Sequence, residues 1–471
     1  MKRLVGFNKK DLNNVPVMNI PPQQIKQQLI NGKIRIAVFG LGRIGLPTAV
    51  HFASHGITVY GIDIQEYIIE FIKNGQMHID EPGLEVLLKR CLKEDRLFVT
   101  SDYKVAMEKA DVSIICVPTP ISNDKTPDYS KIIEVCKKGL KFLKKDDLVI
   151  VESTISPKII EDLMIPLIEK NTGLIAGKDY GIASCPERAN PGNILTDFNE
   201  VPRIIGGYTP KSTKTAEAIY RFITDAKLIL VKDEKTACAV KLTENIFRDV
   251  NIALTNELAI LYEKLGLDII EIIEAASTKW NFQPHYPGAG VGGPCLPANP
   301  YYLIQEAIKV GFVPHLIRMA REINDRMPQH IIELALRALN QAGKSLKGAK
   351  ITILGITYKP GIHDFQLSPA IPIIQTLAKL SAQLSIYDPL IEASDIPQLN
   401  FPENAICTNS VEDSVKNSDC IITVTAHQEF KELKIKDLKQ VATKPLIIVD
   451  GRNIFNPKKL PEGVIYVGVG R

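Results

Sequence analysis

Apolar and polar positions follow two textures along the chain. Short apolar runs rich in Val and Ile, bounded by glycine or polar residues, occur at residues 34–39, 58–62, 112–117, 148–151 and 181–184. Runs of that length and composition read as parallel strands buried on both faces, and the longer stretches between them read as helices. The texture changes near residue 209. Residues 236–277 hold no proline, only Gly266 as a breaker, and many good helix formers. A second helical stretch runs from about residue 300 past Met327 to 339. From Ala349 the short strands return, at 350–356, 383–387, 420–424 and 446–449. The pattern predicts an α/β protein in which two Rossmann-like, doubly wound parallel-sheet domains are joined by a central all-helical domain. The expected bounds are a polar N-terminal extension at 1–32 ending in a short Gln-rich helix, then domains at 33–210, 211–343 and 344–471.

Length supports that division, since 471 residues correspond to about three domains. A chain 45% hydrophobic and 23% charged is an ordinary globular one. The 57 basic and 53 acidic residues leave a net +4, so nothing requires nucleic acid as a partner. No run approaches the ~18 apolar residues of a membrane span, and the N-terminus lacks the apolar core of a secretory signal. The eight cysteines are scattered without a CxxC pair, which argues against a disulfide framework or a zinc site and for a reducing, cytoplasmic setting. The eight histidines show no ligand spacing, so no metal is expected.

Gly40-Leu41-Gly42-Arg43-Ile44-Gly45 fits GxGxxG between an expected strand and an expected helix, and Asp63 ends the following strand. Gly40 would make the tight turn, Gly42 would let the backbone approach a pyrophosphate, and Gly45 would let helix and strand pack closely. The helix N-terminus would face the phosphates. A carboxylate at Asp63 would accept from ribose hydroxyls and repel a 2′-phosphate, which favours NAD over NADP. A glycine turn serving another nucleotide is the alternative. Pro118, Thr119 and Thr154 close later strands, where ligands of open α/β sheets lie, so they are expected on the nicotinamide side; ordinary turn and cap roles would also suit them.

Lys241, Asn245, Arg248 and Asn256 recur at helical spacing and share one side of a helix. Its other faces are apolar, so the helix is expected to be largely buried, with its polar stripe facing a ligand cavity or a structural network of ion pairs. Cys295 follows four glycines in six residues (288, 290, 292 and 293). Such a loop lets backbone N–H groups and a thiol approach a substrate, and a nearby lysine would favour the thiolate; an inert structural cysteine is the alternative.

These motifs, taken in order, resemble the nucleotide-sugar 6-dehydrogenase family. The resemblance runs over about residues 34–471. It rests on the glycine loop, Cys-Val-Pro-Thr-Pro at 116–120, Glu-Ser-Thr at 152–154, Pro-Glu-Arg at 186–188, Lys-Leu-x-x-Asn at 241–245, Gly-Gly-x-Cys at 292–295, Tyr-Lys-Pro at 358–360 and Asp-Gly-Arg at 450–452. It implies an N-terminal NAD domain, a central helix used in dimerisation and a C-terminal UDP domain. The implied reaction is a four-electron oxidation of a sugar C6 alcohol to the carboxylate, with two NAD consumed. By the same resemblance Cys295 is the nucleophile, Lys241 and Asn245 stabilise the oxyanion, and Glu187 is the base for thioester hydrolysis. Arg188, Arg248, Gly292, Lys359 and Arg452 join Glu187, Lys241 and Asn245 as expected substrate contacts. The stretches 186–192 and 245–253 resemble the N-acetylhexosamine branch more than the glucose branch, which points to UDP-N-acetylmannosamine or UDP-N-acetylglucosamine. A UDP-glucose dehydrogenase and a catalytically weak nucleotide-sugar-binding subunit are the alternatives.

Three positions depart from the family pattern. Asn299 stands where an Asp usually orients a water near the thiol, so an amide takes a carboxylate's place and more proton handling falls to Glu187. Gln366 replaces an arginine associated with the cofactor phosphates. The arginine supplied by a neighbouring subunit has no clear equivalent in residues 280–287, where His285 is the stand-in. A homodimer or higher homo-oligomer is expected through the central helix.

Overall fold

The computed structural model describes residues 16–471, so the first part of the N-terminal extension lies outside the described residues. These residues form two compact units. The first is the chain through Glu244 with Tyr301–Glu306, and the second is Asn245–Pro300 with Ala307–Arg471.

The first unit is built on an eight-stranded sheet. Its strands are β1 (Ile36–Phe39), β2 (Val59–Ile62), β3 (Leu97–Thr100), β4 (Val112–Ile115), β5 (Leu148–Val151), β6 (Gly181–Ser184), β7 (Arg203–Gly207) and β8 (Leu228–Leu230), in the order β3-β2-β1-β4-β5-β6-β7-β8. Successive side chains of a strand point to opposite faces. Ile36 and Val38 accordingly enter one apolar cluster while Ala37 and Phe39 enter another, which is why β1 reads as an unbroken apolar run. Strand order reverses between β1 and β4, the switch point where open α/β sheets bind ligands. β1 to β6 are parallel, but β7 runs antiparallel to β6, with Ala183 opposite Gly207. The wholly parallel sheet read from the sequence is corrected at this edge. Between β6 and β7 lies only one helix, the seven-residue Ile194–Glu200, so the chain returns without a full crossover.

The end of the N-terminal extension is less polar in effect than in composition. Val17, Met18, Ile25 and Leu29 are buried in the core of the first unit, and the Met18 amide donates to the Asp146 carbonyl at 2.9 Å. Ile25 and Leu29 lie four apart on the helix Pro22–Ile30, so two apolar positions suffice to anchor it.

The second unit holds a six-stranded, all-parallel sheet: β9 (Lys350–Leu354), β10 (Gln383–Tyr387), β11 (Ala405–Cys407), β12 (Cys420–Thr423), β13 (Leu446–Asp450) and β14 (Val464–Gly468), ordered β11-β10-β9-β12-β13-β14. This order repeats that of β3 to β6 in the first sheet. The helix His315–Gln341 packs Met327, Ile331 and Leu334 into the same core as Ile351, Ile353 and Val449, so helices and sheet share one interior.

The central helix, Glu234–Leu265, is followed by Gly266 at φ +67°, a left-handed turn that favours glycine. The expectation that this helix is largely buried is corrected. Phe247, Leu254, Leu261 and Leu265 are 48–60% exposed and fall on one stripe seven, seven and four residues apart. The opposite side is pinned by buried polar groups. Arg321 forms an ion pair with Asp249, and Asn324 donates to the Asp249 carboxylate at 2.9 Å and accepts from Asn256 at 2.9 Å.

Candidate active site

The cofactor cleft lies in the first unit beyond the ends of β1, β2 and β4. Gly40, Asp63 and Pro118 line it, together with Phe39, Tyr103 and Lys131. Gly40 takes φ +84°, and a Cβ on Gly45 would run into the Gly40 carbonyl oxygen, so both glycines are required by the backbone itself. A Cβ on Gly42 would meet nothing within 4 Å; that glycine leaves open the space a pyrophosphate would use. Asp63 accepts from the Leu41 amide at 2.8 Å and the Gln65 amide at 3.0 Å, which fixes its carboxylate beside the loop. Those features fit NAD. Arg43 and Ile44 complete the loop, half-buried, and Gly45 opens the helix Gly45–Ser54. Thr119 donates to the Thr154 carbonyl at 2.7 Å and its own carbonyl accepts from the Tyr302 hydroxyl, so the turns after β4 and β5 are tied together. Tyr103, Lys131 and Tyr302 carried no sequence signal, because none sits in a glycine turn or a polar stripe.

Glu187 follows β6. One of its oxygens accepts from the Arg188 and Ala189 amides at 2.6 and 2.7 Å, and the other accepts from Arg203 at 3.0 Å. Arg188 turns away to Glu244 and the Pro202 carbonyl. Arg203 is almost wholly buried, with Glu152 at 3.5 Å on its other side. Burial pushes the Glu152 carboxyl up, with Arg203 opposing and Glu187 adding to the rise. Burial and Glu152 likewise push the Cys116 thiol well up. The Arg203–Glu152 pair was not foreseen: an arginine opening a strand and a glutamate ending one give no periodic signal. Lys241 is half-buried, and its side chain makes no hydrogen bond or ion pair among the described residues.

Cys295 lies in the second unit. It is the exposed thiol among eight cysteines, all of them described; five of the others are buried. Burial pushes Cys136, Cys185 and Cys238 up to about 12, so they stay protonated. The Asn299 amide donates to the Cys295 carbonyl at 2.9 Å, and the buried Asn299 side chain accepts from the Asn245 amide, which draws Asn245, Cys295 and Asn299 into one cluster. The glycine loop is held close on several sides. The Gly288 amide donates to Asn256 at 2.9 Å, the Gly293 amide donates to the Gln366 carbonyl at 2.9 Å, and a Cβ on Gly292 would press on Tyr358. Arg452 packs its guanidinium against Gly288, and its amide donates to the Asp450 carboxylate at 3.1 Å; burial lowers the proton affinity of the guanidinium while Asp450 opposes this. Lys359 adjoins Tyr358, half-buried.

The four-residue polar stripe is thereby divided. Asn256 braces Gly288 and is fully buried, Arg248 is exposed, Asn245 reaches Asn299, and Lys241 is half-buried. The Gln366 side chain is exposed and its role in the loop is carried by its carbonyl. His285 is half-buried, 6.3 Å from the Phe247 ring, with Nδ1 at 3.1 Å from the Gln283 carbonyl. No group of three or more His, Cys, Asp or Glu able to hold a metal occurs among the described residues, and no described helix is long and apolar enough to cross a membrane.

A dinucleotide cleft lined by Gly40 and Asp63, and a second α/β unit carrying an exposed thiol in a glycine loop beside a buried arginine, fit an NAD-dependent oxidoreductase. The chain belongs to the UDP-glucose/GDP-mannose dehydrogenase family, matching its NAD-binding domain over residues 34–224, its central domain over 235–326 and its UDP-binding domain over 352–457. It is 40% identical to a UDP-N-acetyl-D-mannosamine dehydrogenase of Pyrococcus horikoshii, over 93% of this chain and 99% of that one. It is 33% identical to a UDP-N-acetyl-D-glucosamine 6-dehydrogenase of Pseudomonas aeruginosa, over 90% and 98%. A solved structure of UDP-D-ManNAc dehydrogenase from Pyrococcus horikoshii superposes with a TM-score of 0.86 at 39% identity, covering 93% of this chain and 99% of that one.

Proposed function

We propose that the chain oxidises the C6 alcohol of a UDP-N-acetylhexosamine to the uronic acid, with UDP-N-acetylmannosamine as first choice. The substrate class follows the names of the similar dehydrogenases, and the observation that carries the chemistry is the single exposed thiol, Cys295, tied to Asn299 and Asn245. NAD, when bound, supplies a hydride acceptor for each of two oxidations.

The C6 alcohol loses a hydride and a proton and becomes an aldehyde. The Cys295 sulfur adds to the aldehyde carbon, and the resulting thiohemiacetal loses a second hydride and a proton to give a thioester. Water then displaces the sulfur, which leaves a carboxylate and regenerates the thiol. Lys241 and Asn245 donate to the oxyanions, at about 3 kcal/mol of transition-state stabilisation each. Glu187 takes the proton from the attacking water. Asn299 fixes Asn245 through its carbonyl oxygen, the one feature of a carboxylate that an amide retains. Gly40, Gly42, Arg43, Ile44, Gly45 and Asp63 hold the cofactor, with Pro118, Thr119 and Thr154 on its nicotinamide side. Lys359 and Arg452 meet the anionic substrate, with Gly292 giving the backbone a close approach, while Arg188 is held away by Glu244. The exposed stripe of Phe247, Leu254, Leu261 and Leu265 supports a homodimer, because apolar side chains in a row on one helix gain by mutual burial.

A panel of UDP-sugars with NADH absorbance as the readout tests the substrate. Turnover is expected with UDP-N-acetylmannosamine or UDP-N-acetylglucosamine; turnover with UDP-glucose alone would overturn the assignment.

A further inference from the structure

We infer that Arg203 is a positioning residue for Glu187, clamped between that carboxylate and the buried Glu152 so that the base is held in one orientation. The inference rests on the reading of Glu187 as the base for thioester hydrolysis.

Both lone-pair directions of one Glu187 oxygen are filled by the Arg188 and Ala189 amides. The second oxygen accepts from Arg203 and keeps one direction open for water. Arg203 cannot drift from that post. Its guanidinium sits 4.8 Å from the Phe198 ring centre and 5.0 Å from that of Tyr220, and it reaches Glu152 at 3.5 Å. Glu152 is itself fixed. It accepts from the Tyr220 hydroxyl at 2.6 Å, from Thr48 at 3.0 Å and from the Cys116 thiol at 3.2 Å. Thr48 lies on the helix that the glycine loop opens, so the base and the cofactor loop share one buried set of hydrogen bonds.

The titratable and charged groups around Glu187 are few. Arg203 comes from β7, Glu152 from the end of β5, Cys116 from the end of β4, Cys185 from the end of β6, and Tyr220 from the helix Pro210–Ile223. Arg188 is committed to Glu244. His51, which burial holds at about 4, faces Arg203 uncharged at neutral pH. Two carboxylates thus share one guanidinium.

The test is the pH profile of kcat for NADH formation with UDP-N-acetylmannosamine in Arg203→Gln, Arg203→Lys, Glu152→Gln and Glu187→Gln. Loss of the cation should move the acid limb of Arg203→Gln upward by about one pH unit or more. Arg203→Lys keeps the charge and should leave the limb in place while kcat falls about tenfold, with the substrate KM unchanged. Removing the opposing carboxylate in Glu152→Gln should move the limb downward, and this variant alone decides the matter if Arg203→Gln does not fold. A purely structural Arg203 would lower the yield of active enzyme without moving either limb, and coincident limbs would overturn the inference. Glu187→Gln separates the two readings. If the acid limb survives in it, Glu187 is not the base and the inference falls with that reading. If it vanishes there yet stays fixed in the Arg203 and Glu152 variants, only the clamp is wrong.

Discussion

Cys295 stands apart from seven other thiols by exposure and by the loop that carries it. A serine has neither the polarisability nor the acidity of a thiol, so Cys295→Ser should lower overall oxidation to the acid by about a thousandfold or more. Product analysis checks this, and full acid formation by the variant would remove the covalent step. The cysteine was legible because four glycines in six residues mark a backbone that something must approach. Asn256 looked equally functional from its helical spacing, yet it donates to Asn324 and accepts from Gly288. Spacing places a residue on a face, but only the partner across from that face decides between chemistry and bracing. Arg203 shows the reverse case: its importance comes from Glu152 and Glu187, which are 51 and 16 positions away in the chain.

Strand identity was legible where strands are buried on both faces, since β5, β12 and β13 are near-uninterrupted apolar segments. It was not legible for β3, β8 and β11, edge or near-edge strands whose residues are partly exposed and dilute the apolar run. The turn after β10 carries a measurable consequence. Asp388 accepts from the Ile356 and Thr357 amides at 2.6 and 2.9 Å and has His427 at 3.1 Å. Burial alone would push its carboxyl up, but His427 and these amides outweigh it and hold the group at about 2. A carboxyl held below its unfolded value adds stability above that value and loses it as pH falls through the folded one. Asp388→Asn should therefore cost about 2 kcal/mol at pH 7 and flatten the loss of stability between about pH 4 and pH 2, read by urea denaturation across that range. An unchanged pH dependence would contradict this. On the central helix, Leu254→Glu with Leu261→Glu puts charges into the exposed stripe; light scattering is expected to report a dimer for the parent chain and a monomer for this variant.

The two sheets repeat one strand order, and the family's NAD-binding and UDP-binding domains match the two ends of the chain. That plan was readable from the return of short apolar runs at residue 350. The merging of the middle helices with the second sheet was not, because a helix that packs on a sheet and one that packs on another helix carry the same periodicity. For the whole molecule, one active site removes four electrons from one sugar. The direct measurement is the number of NADH formed per molecule of limiting UDP-N-acetylmannosamine consumed. Two NADH and one uronic acid are expected, with no aldehyde released. One NADH per sugar with free aldehyde as product would contradict it.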